Sequence, residues 1–215
     1  MMSLLCAHAV MCERHALRGM PMYQKRCVWP GKDSLYLSYH DDEWGLPCRS
    51  DPLLFEFLIL ESAQAGLSWI TILRRREQYR KAFADFDVKH VSGFTESDIE
   101  RLMGDSGIIR NRAKICSAIA NARCFLQVQE EFGSFSDYIW GFVDGVPVVN
   151  CWSTAADVPA NTELSRCISA DMLVRGFSFF GATICYAYLQ SMGLINDHLE
   201  ECYRRLECLE QVRPH

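Results

Sequence analysis

Apolar residues recur every three or four positions along most of the chain from about residue 27, and only short Gly-, Pro- and Asn-containing stretches interrupt them. This spacing indicates helices that each turn one apolar side to a common core. Only VPVV, residues 146–149, has the composition of a strand. The pattern therefore predicts an all-α fold. Predicted helices occupy residues 51–65, 68–86, 95–104, 109–133, 134–143, 162–175, 180–192 and 197–208.

Residues at the predicted helix ends support these assignments. Asp51 followed by Pro52 is a typical helix start, and Gly133 is a typical stop after the long helix. Ser97 and Glu100 have the spacing of a capping box. The Gly-, Pro- and Asn-containing stretch at 143–161 predicts a connection between two lobes.

The composition is that of an ordinary globular protein. Of the 215 residues, 49% are hydrophobic and 23% are charged, which predicts one domain. We place it at 26–208, between an N-terminal extension at 1–25 and a tail at 209–215. No basic residue precedes the apolar piece near the N-terminus, which argues against a secretory signal. The eleven cysteines are scattered, which favours reduced, buried thiols in a cytoplasmic protein.

One apolar run contains a carboxylate. The run extends from Leu53 to Leu73, but Glu61, Gln64 and Gly66 interrupt it, so it does not predict a membrane span. A buried, unpaired charge costs several kcal/mol, and something must offset that cost. Taken alone, the sequence leaves two interpretations of Glu61 open: a partner to an arginine, for which Arg74 and Arg110 are candidates, or a residue that receives a cationic ligand.

The charge of the chain does not decide its partner. The formal net charge is −5, which argues weakly against nucleic acid. Two local basic clusters, at 74–76 and 110–114, leave solvated helix faces and a nucleic-acid contact as alternatives. A second feature favours the latter. Gly176 and Gly181 flank a short apolar turn, and the helix after it would present backbone N–H groups that can hold a DNA phosphate.

Four residues have the chemistry of a metal site. His198 and Cys202 are four positions apart and would lie on one face of the predicted helix at 197–208. Cys27 and His40 lie near the other end of the domain and complete a Cys2His2 set suited to tetrahedral zinc. From spacing alone, buried thiols and surface histidines remain the alternative. Four protein ligands would leave no position for a substrate water, so such a zinc ion would be structural and would join the two chain ends.

Several long segments together resemble the 3-methyladenine DNA glycosylase I family. They are RCVWP, YLSYHDDEWGLP, FEFLILESAQAGLSWITILRRREQYRKAF, GIIRNRAKI and RGFSFFGATICYAYLQSMGLINDH, with the Cys that follows at 202. The resemblance covers about residues 26–205. It implies the two-lobed helix–hairpin–helix glycosylase fold, with the damaged base in the cleft between the lobes. It also implies one structural zinc, held by Cys27, His40, His198 and Cys202.

The resemblance gives Glu61 a role. Adenine methylated at N3 is cationic or nearly so, and a carboxylate in an apolar pocket distinguishes it from neutral adenine. Glu61 is then the expected catalytic and base-binding residue. Trp69, two steps of four further along, would stack on the base, and Tyr39 would stack on its other side. Further expected pocket residues are Trp29, Trp44 and Gln64.

The expected reaction is hydrolysis of the N-glycosidic bond of 3-methyladenine in double-stranded alkylated DNA. The products are free 3-methyladenine and an abasic site. No lysine follows Lys114, so the hairpin region offers no amine for a Schiff base and the enzyme is expected to be monofunctional. A monomer is expected as well. Asp197 is interpreted as a helix cap or a partner of a metal ligand, not as the base.

DNA is expected to contact the hairpin backbone at Gly176, Phe179, Gly181, Ala182 and Thr183, with Arg110, Arg112, Lys114 and Arg175 as weaker candidates for phosphate contacts. The competing hypothesis is a zinc-stabilised helical DNA-binding module without catalytic activity. Retention of Glu61, Tyr39 and Trp69 argues against it, because a module that only binds DNA needs no pocket selective for a cation.

Overall fold

The computed structural model describes residues 25–210, and this part of the chain is mostly helical, as predicted. The predicted extension before residue 25 and the predicted tail beyond residue 210 lie outside it. Between residues 25 and 210, no helix combines the length and apolar character needed to cross a bilayer. The helices are α1 (Ser34–Asp42), α2 (Asp51–Gln64), α3 (Trp69–Leu73), α4 (Arg76–Ala82), α5 (Val88–Ser92), α6 (Glu96–Gly104), α7 (Arg112–Phe132), α8 (Phe135–Gly141), α9 (Glu163–Val174), α10 (Ala182–Ser191) and α11 (Arg204–Glu210).

Helix α2 lies at the centre of the fold. Every residue from Leu54 to Ala63 is buried, because α3, α7, α8 and α10 pack around the helix. Such burial on all sides explains why its sequence is apolar without a polar face. Asp51 is its first residue, but the side chain accepts hydrogen bonds from the backbone N–H groups of Phe135 and Ser136. Asp51 therefore caps α8 rather than its own helix.

The only sheet among the described residues has two short parallel strands. β1 (Val148–Val149) pairs with β2 (Ile195–Asn196). The segment VPVV predicts β1, whereas no pattern along the chain indicates β2. The pairing joins the irregular connection after α8 to the chain just before His198.

Several predicted helix ends are confirmed. The long helix stops at Gly133, whose φ of 88° suits glycine, and Thr162 caps α9. The predicted capping box of Ser97 and Glu100 is wrong: Thr95 and Asp98 form it instead. The predicted pair lies two positions too far along the chain. The capping hydrogen bonds form at the start of α6, where Thr95 and Asp98 lie.

Two predicted helices are wrong in extent. The helix predicted over 68–86 is divided into α3, α4 and a 3₁₀ turn at Ala84–Phe86. The break before α4 allows Arg76 to reach inward to Glu56. The helix predicted over 197–208 begins only at Arg204, because residues 197–203 form turns. His198 and Cys202 are therefore not on a helix face.

The cysteines agree in part with the expectation of reduced, buried thiols. No cysteine between residues 25 and 210 forms a disulfide bond. Cys185 is buried and Cys124 is half-buried, but Cys116 is exposed. Its position on α7 turns it away from the core, which the apolar neighbours in sequence did not reveal.

Candidate base-binding site and metal cluster

A cavity of about 330 Å³ lies where α1, α2, α3 and α10 meet. All six residues predicted to bind the base line it, namely Trp29, Tyr39, Trp44, Glu61, Gln64 and Trp69. The structure also brings Tyr36, Gln190, Ser191 and Asp197 to its wall. Its size is within the range of small-molecule sites.

Glu61 is the central polar group of this cavity, and its side chain is 2% exposed. Its Oε1 accepts a hydrogen bond of 2.7 Å from the hydroxyl of Ser191, which in turn accepts one of 3.1 Å from Tyr39. Its Oε2 has no hydrogen-bond partner among residues 25–210. Burial raises the pKa of Glu61 to about 8, although the hydrogen bond from Ser191 acts in the opposite direction. An acceptor atom is thus left for a ligand.

No arginine contacts Glu61 within the described part of the chain. Arg74, one predicted candidate, pairs with Asp33 at 2.5 Å, and Arg76 pairs with Glu56 and Glu43. The structure therefore removes the ion-pair interpretation of Glu61. No arginine of the described residues supplies the charge that would balance an ionised Glu61, and a cationic ligand would supply it.

Aromatic rings surround the carboxyl group. The Tyr39 and Trp69 rings are 5.4 Å apart between centroids and inclined by 48°. Trp29 packs edge-on against both Tyr36, at 4.8 Å, and Trp44, at 5.1 Å. The indole N–H of Trp69 is buried without a partner. The cavity thus offers apolar ring faces, one free acceptor and one free donor to a flat ligand.

Trp69 reaches the cavity by a different route from the predicted one. The sequence suggested a single helix face through Glu61, Ala65 and Trp69. Instead α2 ends at Gln64, Ala65 forms a turn with a ψ of 116°, and Gly66 has a φ of 80°. Trp69 then starts α3. The turn, rather than a helical repeat, places its ring near Glu61.

The four predicted metal ligands lie together. The donor atoms of Cys27, His40, His198 and Cys202 are all buried and within 4.8 Å of one another. Cys202 Sγ is 3.5 Å from both His40 Nε2 and His198 Nδ1. Tetrahedral zinc with ordinary bond lengths places sulfur and nitrogen ligands about 3.5 Å apart. The donor set therefore fits a tetrahedral metal ion.

The remaining atoms of this cluster support the same fit. His40 Nδ1 donates to Asp41 at 2.8 Å, and His198 Nε2 donates to the carbonyl of Trp44 at 3.1 Å. These bonds leave the other ring nitrogen of each histidine free to bind a metal. The sulfur of Cys27 also accepts a backbone N–H from Leu199. A hydrogen bond from Cys27 lowers the pKa of Cys202, which favours a thiolate at that position.

Asp197 has neither of the predicted roles of helix cap or direct partner of a metal ligand. Its Oδ1 accepts from Asn150 and Trp152, and its Oδ2 accepts from Tyr186 and Gln190. These four bonds occupy the carboxylate, which leaves it poorly suited to accept a proton from water. They instead join α10, the strand β2 and the connection after β1 around the cavity.

The predicted hairpin joins α9 to α10. Gly176 has a φ of 96°, and Phe179 also has a positive φ. Gly181 has an ordinary φ of −68°, so the turn does not require glycine there. Asn121, fully buried in α7, bonds both the N–H and the carbonyl of Ser178. The hairpin is thus anchored, and Gly181 and Thr183 are exposed at the start of α10.

Three of the side chains considered for phosphate contacts are already engaged. Arg112 pairs with Glu96 and Glu100, and Arg175 pairs with Glu131 and Asp171. Lys114 donates to two backbone carbonyls of the α2 end. Most of these partners are distant in the chain and could not be anticipated from sequence, whereas Asp171 lies four positions before Arg175 on the same helix and could have been.

A helical protein with a buried carboxyl group in an aromatic cavity, beside a Cys2His2 cluster, is suited to bind a flat, cationic, hydrogen-bonding ligand. The family model described as methyladenine glycosylase matches residues 29–205. The chain belongs to that family, which confirms the resemblance.

Individual relatives agree. The chain is 48% identical over 177 residues to a DNA-3-methyladenine glycosylase of Haemophilus influenzae, covering 82% of this chain and 96% of the relative. It is 46% identical over 178 residues to DNA-3-methyladenine glycosylase 1 of Escherichia coli, covering 83% and 95%. A solved 3-methyladenine DNA glycosylase I variant in complex with 3-methyladenine superimposes with a TM-score of 0.81 at 34% identity, covering 88% and 98%.

Proposed function

We propose that this protein is a base-excision repair enzyme that hydrolyses the N-glycosidic bond of 3-methyladenine in alkylated double-stranded DNA. The observation that carries the proposal is Glu61, which is buried in an aromatic cavity where, among the described residues, one of its oxygens has no partner and no arginine contacts it. Relatives that cover most of the chain are named for this activity. A binding module without catalysis would not need this cavity.

The electrostatics of the cavity explain how a cationic base is selected. With a pKa of about 8, Glu61 is mostly protonated at pH 7 when the cavity is empty. A cationic base favours the ionised form, and the attraction between them is stronger in a dry site than in water. Neutral adenine gives no such gain. Glu61 would accept hydrogen bonds from the exocyclic amino group and the adjacent ring edge.

The ring faces complete the recognition. Tyr39 and Trp69 would stack on the two faces of the base, which requires the rings to move apart from their centroid separation of 5.4 Å. Trp29 and Trp44 would line the rim. Ring faces attract cations as well as stack on bases. Gln64, one helical turn after Glu61, lies at the same wall.

Cleavage follows from the state of the bound lesion. The nucleotide first leaves the DNA stack, which costs a few kcal/mol. The positive charge of the base activates it as a leaving group, while the sugar gains oxocarbenium character and water attacks. Glu61 holds the base through this step, and the neutral product then allows it to recover its proton. Lys114 donates to two backbone carbonyls at the end of α2, and no lysine follows it in the sequence, which supports a hydrolase that forms no Schiff base.

DNA would lie against the hairpin. The backbone at Gly176, Phe179, Gly181, Ala182 and Thr183 would hold a phosphate, since no side chain caps the start of α10. In this arrangement the fold corresponds to the two-lobed helix–hairpin–helix glycosylases. The protein would act as a monomer, and the scattered cysteines, with no disulfide among the described residues, support a cytoplasmic location.

We also propose that the Cys2His2 cluster holds one structural zinc ion. Cys27, His40, His198 and Cys202 would supply all four ligands, so the metal would contribute stability rather than chemistry at the base. It would join the start of the described chain to its end.

The activity is tested by incubating methylated DNA with the protein and resolving the released bases by chromatography. We expect release of 3-methyladenine and inhibition by the free base. Glu61→Gln should slow release at least about tenfold, because a charge-assisted hydrogen bond is lost. Glu77→Gln, an exposed change on α4, is the control and should have no effect. Undiminished release by Glu61→Gln would remove the proposed role.

A further inference from the structure

Lys114 occupies a position where a positive charge is unfavourable. It lies in the first turn of α7, and its backbone N–H donates to the helix cap Asn111. The N-terminus of a helix carries partial positive charge, which disfavours a cation there. Favourable contacts of the ammonium group elsewhere must therefore compensate for this position.

The ammonium group makes these contacts at the end of α2. The ammonium group donates to the carbonyl of Ala63 at 2.9 Å and to that of Ala65 at 2.6 Å. The last carbonyls of a helix lack partners within the helix, and a cation is favourable beside them. Lys114 thus bridges the start of one helix and the end of another.

The end of α2 leads directly into the turn that forms the base cavity. Glu61 and Gln64 precede the turn, Trp69 follows it, and all three line the cavity. The turn itself has few other restraints: Gly66 has a φ of 80°, and Leu67 is 40% exposed with its N–H bonded to Gln64.

We propose that Lys114 is a positioning residue for base recognition, since its ammonium group fixes the turn at 65–68 and so sets the distance between the Glu61 carboxyl group and the Trp69 ring. This inference rests on the proposed function, because the ligand of the cavity is a methylated base. It assigns Lys114 to the base cavity instead of to a DNA phosphate.

The test compares three variants by titration with 3-methyladenine at a temperature well below unfolding. Lys114→Met keeps the aliphatic stem but removes the charge, and it should weaken binding about tenfold or more, the scale of a lost charged hydrogen bond. Lys114→Arg should restore part of the affinity. Lys81→Met, which removes an exposed charge from α4, should bind within about twofold of the unsubstituted protein.

Amide hydrogen exchange gives a second readout that needs no ligand. In Lys114→Met, amides at 65–69 should exchange faster while those at 54–60 in α2 remain unchanged. A general loss of stability would instead accelerate both segments and would overturn the proposal, as would unchanged exchange at 65–69 together with unchanged affinity. If Lys114→Met does not fold, Lys114→Gln replaces it under the same criteria.

The two proposals fail in different ways. If the unsubstituted protein neither binds 3-methyladenine nor releases it from methylated DNA, the proposed function is wrong. Exchange at 65–69 then still decides whether Lys114 fixes the turn. If the unsubstituted protein is active and Lys114→Met matches it in affinity, only the role of Lys114 is wrong.

Discussion

At the scale of single residues, the burial of Glu61 links recognition to stability. Burial raises its pKa from 4.5 to about 8, so the folded protein holds this proton more tightly than the unfolded chain. The stabilisation is complete below about pH 4.5 and is lost as the pH rises towards 8. At about 1.4 kcal/mol for each pH unit, the loss amounts to a few kcal/mol.

Glu61→Gln should remove this dependence, because the amide does not titrate. We expect the free energy of unfolding of Glu61→Gln to exceed that of the unsubstituted protein by a few kcal/mol at pH 8 and to match it near pH 5. Urea unfolding at several pH values measures the difference. The exposed change Glu77→Gln is the control. Parallel pH curves for Glu61→Gln and the unsubstituted protein would show that the burial of this carboxyl group has no such cost.

The residue scale also shows what sequence could reveal about the site. Glu61 was identifiable because a carboxylate is anomalous inside an apolar run. Tyr36 could have been predicted from sequence as a cavity residue, because it lies three positions before Tyr39 on α1 and so on the same helix face. Ser191 gave no signal, because its contact with Glu61 joins residues 130 positions apart and a serine near a helix end is unremarkable.

At the scale of elements, helix ends set by a residue's own backbone or side chain could be predicted from sequence. Helix ends set by contacts with distant residues could not. Gly133 and Thr162 fix their helix ends through their own backbone and side chain. The break before α4 depends instead on Arg76 reaching Glu56 on another helix. Residues 197–203 have a helical pattern but form turns and irregular backbone. The pairing of β2, the hydrogen bonds of Asp197 and the Cys2His2 cluster hold them there.

The hairpin offers a matched pair of glycines. Gly176 has a positive φ, and a Cβ there would lie 3.2 Å from Cys124 Sγ, whereas Gly181 has an ordinary φ and open space. Gly176→Ala should therefore lower the free energy of unfolding by about 1–3 kcal/mol. Gly181→Ala should cost at most about 1 kcal/mol, as a weaker helix cap. Chemical denaturation measures both, and equal effects would mean that the turn tolerates a side chain at 176.

At the scale of the whole molecule, the Cys2His2 cluster joins segments far apart in sequence. Cys27 and His40 come from the start of the described chain, and His198 and Cys202 come from near its end. The spacing of His198 and Cys202 pointed to residues that the structure brings together with Cys27 and His40, although they do not lie on a helix. What sequence could not supply was the parallel strand pair and the carbonyl of Trp44 that orient His198.

The cluster shares a wall with the base cavity, because Tyr39 precedes His40 and Asp197 precedes His198. Loss of one ligand should lower stability first. A bound metal would cross-link the two ends of the domain, and without it the cysteine thiols are buried with no metal to bind. We expect His198→Ala to lose bound zinc and to lower the melting temperature, while turnover for each folded molecule falls less. Metal analysis, calorimetry and base release at low temperature measure the three quantities.

His90→Ala is the matched control, because His90 is an exposed histidine on α5 outside the cluster. It should retain metal and melt close to the unsubstituted protein. Chelation of the unsubstituted protein should reproduce the effect of His198→Ala, and zinc added back should reverse it. A metal-free protein that is equally stable would show that the buried thiols and histidines suffice to hold the chain ends together. In that case the four residues would be a packed core cluster that only resembles a metal site.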